Sequence, residues 1–192
     1  MKMANENNFE KAYKISMPLS GLASSWFEAD GKKFAYMDYD VKKGLKWEMK
    51  FYSDEEKKNA FIEIVEQKCS LLDGGYAFKD AVSGEQLGVW APKKRFLNLF
   101  LRSPYTLTVN GKVVATSPGE GFFKLFVPGK IRSFLCPRKV LNADGEPVAK
   151  ISTQSTFGCG ITKVKPCGEN TISESGLGTA VAVLAAICGL QD

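Results

Sequence analysis

Leu177-Gly178-Thr179-Ala180-Val181-Ala182-Val183-Leu184-Ala185-Ala186-Ile187-Cys188-Gly189-Leu190 is the stretch that decides the fold of this chain. From Ser175 to Gln191 there is no charged residue, and no polar face recurs at helical spacing. A helix that is apolar all round must be buried in a large core or in a membrane. At 1.5 Å per residue the run spans about 20 Å. A bilayer core asks for roughly 20 apolar residues, and runs of about 10–14 are more often core helices. Its residues are also small, with Gly178, Ala180, Ala182, Ala185, Ala186 and Gly189 among them. A thin rod of this kind fits inside something that wraps around it. Almost everything before it reads as strand, so the sequence predicts a β-structure closed around a C-terminal helix.

Turn signals recur through the preceding residues. Asp30-Gly31 separates Trp26-Phe27 from Phe34-Ala35-Tyr36, and Ser83-Gly84 separates Tyr76-Ala77-Phe78 from Leu87-Gly88-Val89-Trp90. Asn110-Gly111 lies between Tyr105–Val109 and Val113–Ala115, and Asp144-Gly145 between Val140-Leu141 and Val148–Ile151. Glycine after Asn, Asp or Ser supplies the positive φ that tight hairpins need. Four hairpins imply at least eight strands. Leu45–Tyr52 alternates apolar and charged residues as a half-buried strand does, with Val41–Gly44 turning into it. Phe122–Val127 reads as a further strand, and Thr153–Thr162 and Lys163–Pro166 as weaker ones.

One segment breaks the pattern. Ser53 and Glu56 form an S-x-x-E capping box, and Asp54 and Glu55 suit a helix N-terminus. Phe61, Ile64, Val65, Cys69 and Leu72 follow at spacings of three and four. This predicts an amphipathic helix packed on the outside of the sheet. Residues 1–10 are expected to fray, and residues 11–192 to form one domain, with Pro166–Ser175 as the loop into the last helix. A chain of 192 residues is long enough for one domain with a substantial core.

Composition narrows the function. There is no histidine, which removes Ser-His-Asp and Cys-His nucleophile pairs and imidazole metal sites. The five cysteines, Cys69, Cys136, Cys159, Cys167 and Cys188, lack C-x-x-C spacing and read as reduced thiols. Cys159, between Gly158 and Gly160, has only Lys163 and Lys165 nearby in sequence, and no histidine to activate it. Pro118-Gly119-Glu120-Gly121 lacks the Lys-Ser/Thr of a phosphate loop and reads as a turn. No catalytic residue, metal site or cofactor is expected. Residues 1–9 are too polar for a signal peptide, and the reading expects a cytoplasmic chain.

The net charge of +5 is uneven. Residues 1–68 balance twelve basic against twelve acidic groups, whereas residues 93–139 hold ten basic groups against Glu120 alone. The densest cluster is Lys93-Lys94-Arg95, with Arg102 beyond it and Arg138-Lys139 as further candidates. Two readings stand. The cluster grips an anionic phosphate on lipid, or it is a hairpin end kept solvated by its lysines. Trp26, Trp47 and Trp90 read as core or barrel-seam residues. Leu97, Leu99 and Leu101 interleave with Phe96 and Phe100, which argues against nucleic-acid stacking on this strand.

The order of elements resembles a known superfamily. Trp26–Tyr36, the W-x-x-x-F-Y strand at Trp47–Tyr52, Y-x-F-x-D-x-x-S-G-E-x-L-G at Tyr76–Gly88, D-G-E-P-V-A-K at Asp144–Lys150 and the small-residue helix before Asp192 are similar to the Tubby C-terminal-like fold. The LURP-one-related and phospholipid-scramblase-like branch is the nearest in pattern. The resemblance implies about twelve antiparallel strands around a central hydrophobic helix. It also implies a non-enzymatic module that docks phosphoinositide-like head groups at a membrane surface, peripheral rather than spanning. The cysteine-rich cluster and proline-rich N-terminus of animal scramblases are absent, as is a D-x-D-x-D-G calcium loop. A scaffold domain meeting an acidic protein partner, and scramblase-like lipid handling, are the alternatives.

Overall fold

In the computed structural model the described residues are 6–18, 25–42, 46–68, 74–92, 104–119, 137–156, 159–167 and 176–191. Among them, twelve strands close into one antiparallel barrel. They are β1 (Tyr13–Pro18), β2 (Ser25–Ala29), β3 (Lys32–Lys42), β4 (Lys46–Tyr52), β5 (Ala60–Lys68), β6 (Gly74–Asp80), β7 (Gln86–Pro92), β8 (Tyr105–Val109), β9 (Lys112–Ser117), β10 (Arg138–Asn142), β11 (Pro147–Thr156) and β12 (Cys159–Pro166). Each strand pairs with its sequence neighbours, and β12 pairs with β1 to complete the ring. Closure leaves none of these twelve strands with a free edge for another chain. A short helix α1 (Glu6–Phe9) precedes β1, and α2 (Leu177–Gln191) ends the described chain.

The helix is the consequence of barrel size. About eight strands give a barrel just wide enough for its own side chains to fill, and diameter grows with strand number. Twelve strands leave a lumen that side chains alone do not fill, and α2 occupies it. Every residue from Leu177 to Cys188 is buried. Inward residues of the strands close around it, among them Ile15, Phe27, Met37, Phe51, Ile64, Trp90, Leu107, Val140, Ile151 and Val164. The Trp90 indole N–H donates to the Ala180 carbonyl oxygen at 2.8 Å, which fixes the rotation of α2 against β7. Side chains of β1 and β12 also press against the helix backbone near its C-terminus. A Cβ on Gly189 would collide with Met17 and lie 2.6 Å from Thr162 Oγ1.

The four hairpins lie where the turn residues place them. Asp30-Gly31 has φ of 51° and 76°, and Asn110-Gly111 has 49° and 76°, the paired positive angles of a type I′ turn. The β6–β7 and β10–β11 turns are held by side chains. Asp80 Oδ1 accepts from the Val82 and Ser83 N–H groups, and Asn142 Oδ1 from those of Asp144 and Glu146. The strand expected at Phe122–Val127 lies outside the described residues.

The outer amphipathic helix is not formed. Ser53–Asn59 is a tight turn in which the Asp54 carboxylate accepts from the N–H groups of Lys58 and Asn59, at 3.0 and 2.9 Å. Those hydrogen bonds hold the Asp54 carboxyl below its ordinary value. The residues that follow are β5, with Ile62 and Ile64 fully buried at a spacing of two. Two periods were present in this segment. The i, i+3 pattern of Phe61 and Ile64 competed with the β-branched alternation of Ile62 and Ile64, and pairing with β4 and β6 selected the strand.

The expectation of a frayed N-terminus is also corrected for residues 6–9. Phe9 is fully buried and meets Tyr13, Phe27, Phe34, Phe51 and Phe61 with ring centroids 5.2 to 6.4 Å apart. It plugs the barrel on the β1–β5 side, at the end where α2 begins. Within this cluster the Tyr13 hydroxyl is buried with no hydrogen-bond partner among the described residues, and burial pushes its ionisation well above the ordinary tyrosine value of 10.0. An unsatisfied buried hydroxyl costs about 1–3 kcal/mol. Tyr13→Phe is therefore expected to leave stability unchanged or raise it by about 1 kcal/mol. Chemical denaturation would read this, and a loss above about 1 kcal/mol would mean that the hydroxyl has a partner in solution.

Candidate anion-binding face

Alternation along a strand sends every second residue outward, and antiparallel register then decides which outward residues meet. On β10, β11, β12 and β1 the outward residues that meet are lysines. Lys139 lies opposite Lys150, Lys150 opposite Lys165, and Lys163 opposite Lys14. These four adjacent strands read RKVLN, PVAKISTQST, CGITKVKP and YKISMP, without a single Asp or Glu. Lys139, Lys150, Lys163 and Lys165 are exposed. Among the described residues none of these four is ion-paired. Lys14 alone is paired, its Nζ 3.0 Å from Glu28 Oε1. That bond is the main reason the Glu28 carboxyl lies below its ordinary value.

Neighbouring strands lie about 4.8 Å apart, so the Lys139–Lys150–Lys165 row runs about 10 Å around the barrel. Lys163 extends it about 7 Å along β12. Like charges placed directly opposite are destabilising, by roughly 0.2–1 kcal/mol per pair. Three such pairs stand here.

Charges on β5 and β6, half the circumference away, are compensated. Lys50 Nζ lies 3.4 Å from both Glu48 and Glu63, and Lys79 Nζ lies 2.7 Å from Glu63. The Lys79 ammonium is the main cause of a lowered Glu63 ionisation. Among the described residues the barrel is therefore electrically two-sided, with a basic wall whose exposed lysines lack ion partners and a paired, mixed wall.

Of the basic residues singled out in sequence that lie among the described residues, Lys139 belongs to this wall and Arg138 does not. Arg138 precedes it on β10 and points the other way. It is 8% exposed, with its guanidinium carbon 5.3 Å from the Tyr105 ring centroid. Alternation therefore places these two candidates on opposite faces of β10. Lys93, Lys94, Arg95 and Arg102 lie outside the described residues. Sequence reading passed over Lys14, Lys150, Lys163 and Lys165, because Asp144, Glu146 and Glu28 mask them in a count by segment. The available signal was K-x-K at Lys163–Lys165 within an acid-free strand.

Cys159, Cys167 and Cys188 are unbridged thiols. No group of three or more His, Cys, Asp or Glu residues that could hold a metal occurs among the described residues. No helix among them is long and apolar enough to cross a membrane. Comparison with known proteins finds no matching family model, no similar curated protein and no similar solved structure.

Proposed function

We propose that this chain is a non-enzymatic docking module that binds anionic lipid head groups at a membrane surface through the outer wall of β10, β11, β12 and β1. The observation that carries the reading is the row Lys139, Lys150, Lys165 and Lys163, without ion partners among the described residues and set against like-charged neighbours. A flat array of exposed ammonium groups on rigid strands suits a surface of phosphates better than a single enclosed anion. Each lysine near an anionic membrane contributes about 1 kcal/mol, so four support weak, reversible docking. The sequence resemblance to Tubby-like domains, whose members bind phosphoinositides, points the same way. Scramblase-like lipid movement would require α2 to leave the lumen it fills, which the burial of Leu177–Cys188 opposes.

The test is co-sedimentation with vesicles of phosphatidylcholine alone, with phosphatidylserine, or with a phosphoinositide. Lys150→Ala with Lys163→Ala should lose about 2 kcal/mol of binding to anionic vesicles, close to 30-fold. The effect should shrink with salt, since exposed charges are screened beyond about 8 Å at physiological ionic strength. The melting temperature should hold or rise, because both changes relieve like-charge pairs. Unchanged vesicle binding in the double variant removes this wall as the site. Binding to acidic proteins but to no vesicle would favour the scaffold alternative.

A further inference from the structure

The lysine wall ends in a notch of about 270 Å³ beside the β2–β3 turn. Outward residues line it in two short rows. In the first, Lys14 lies between Lys163 on β12 and Glu28 on β2. Two residues back along the chain, the same register sets Ala12 between Lys165 and Asp30. All six line the notch. Ala12 is the small residue at the centre of its row, so the space there stays open. Neighbouring strands lie about 4.8 Å apart, which puts the backbones of Lys165 and Asp30 about 10 Å apart across it. Ala12, Asp30, Lys163 and Lys165 are exposed. Lys14 and Glu28 neutralise each other, with Nζ 3.0 Å from Oε1. Among the described residues Lys163, Lys165 and Asp30 have no ion partner. The notch therefore offers two ammonium groups on one side and one carboxylate on the other.

We infer that this notch selects a lipid head that carries an ammonium beside two anionic groups, the phosphoserine head of phosphatidylserine. The inference rests on the docking of the lysine wall at a membrane, and it names the lipid that the wall prefers. The phosphate and carboxylate of that head meet Lys163 and Lys165, and its ammonium meets Asp30. The pattern of signs is complementary, two cations and one anion on the protein against two anions and one cation on the lipid. At about 30 Å³ per water-sized group, the notch has room for roughly nine such groups, the scale of one head. Phosphatidylglycerol has the same net charge but leaves Asp30 without a partner. A phosphoinositide sets phosphate against Asp30, and like charge in contact suppresses a wrong partner. Selectivity then comes from an attraction and a repulsion together. Lysines alone, as along the rest of the wall, would rank lipids by charge only.

Co-sedimentation of the full chain with phosphatidylcholine vesicles that contain phosphatidylserine or phosphatidylglycerol, at one shared mole fraction, tests the inference. Surface charge is then equal, and the phosphatidylserine vesicles should bind severalfold more tightly, the scale of an exposed ion pair. Asp30→Asn keeps a residue suited to the φ of 51° at this turn. It should lower phosphatidylserine binding to the phosphatidylglycerol level and leave phosphatidylglycerol binding unchanged or slightly higher. Ala12→Phe, at an exposed position, should remove the preference by filling the notch. Lys139→Ala with Lys150→Ala, outside the notch, should weaken binding to both vesicles and keep their ratio. Equal binding of the parent to the two vesicles, or a preference retained by either notch variant, overturns the notch and leaves the wall standing. Binding to neither vesicle overturns the wall, and the notch with it.

Discussion

Replacing Ala185 with aspartate is expected to leave no cooperatively folded protein. Ala185 is fully buried within α2, and α2 is enclosed by the barrel on every side. Among the described residues the buried side chains are apolar apart from a few hydroxyls and Arg138, so most of the lumen gives a carboxylate nothing to pair with. To be buried neutral at pH 7, an aspartyl group with an ordinary value of about 3.9 must first be protonated, at about 4 kcal/mol. The larger side chain then overpacks the lumen for about 1–3 kcal/mol more. Native domains have only about 5–15 kcal/mol in total. Ala182→Asp, also at a fully buried position, should behave alike. Near-ultraviolet circular dichroism and thermal melting would read the loss. Two folded variants with ordinary melting transitions would refute a helix held inside the barrel.

The second large effect is expected at Trp90. Its side chain is fully buried, and its indole N–H is the hydrogen bond that joins the barrel wall to the helix at Ala180. Trp90→Ala should cost about 3–5 kcal/mol, through lost burial and the cavity left behind. Trp90→Phe keeps most of the ring volume and loses the N–H. It should cost nearer 1–2 kcal/mol, the scale of one hydrogen bond plus a small void. Denaturant midpoints at equal slope would separate the two. Equal losses for Phe and Ala would mean that the hydrogen bond, and not the packing of the ring, supplies the stability at this position.

Legibility varied with how local the information was. The helix at residues 177–190 could be read directly, because an all-round apolar run carries its own evidence of enclosure. Asp30-Gly31, Ser83-Gly84, Asn110-Gly111 and Asp144-Gly145 could be read for the same reason, since positive φ is a property of the turn residues themselves. Residues 53–72 could not be settled locally. Ser53 and Glu56 satisfy a capping box, yet Asp54 uses its carboxylate to close a turn instead, and Ile62 and Ile64 face inward between β4 and β6. Phe9 also escaped, because a lone aromatic in a polar terminus gives no sign of the five rings that surround it.

The candidate site shows the same division more sharply. Lys139 stood out in sequence because it sits in a basic stretch. Lys14, Lys150, Lys163 and Lys165 come from three strands more than a hundred residues apart at the extremes, and only closure of β12 onto β1 makes them neighbours. Arg138 was grouped with Lys139 by adjacency, and the strand separates them by turning one inward. By itself the sequence determined that the chain closes around a small-residue helix and where its tight turns fall, because periodicity and turn chemistry act over a few residues. Tertiary structure alone decided which lysines share a wall and which end of the barrel Phe9 plugs, because register and closure are set by pairings between residues far apart in the chain.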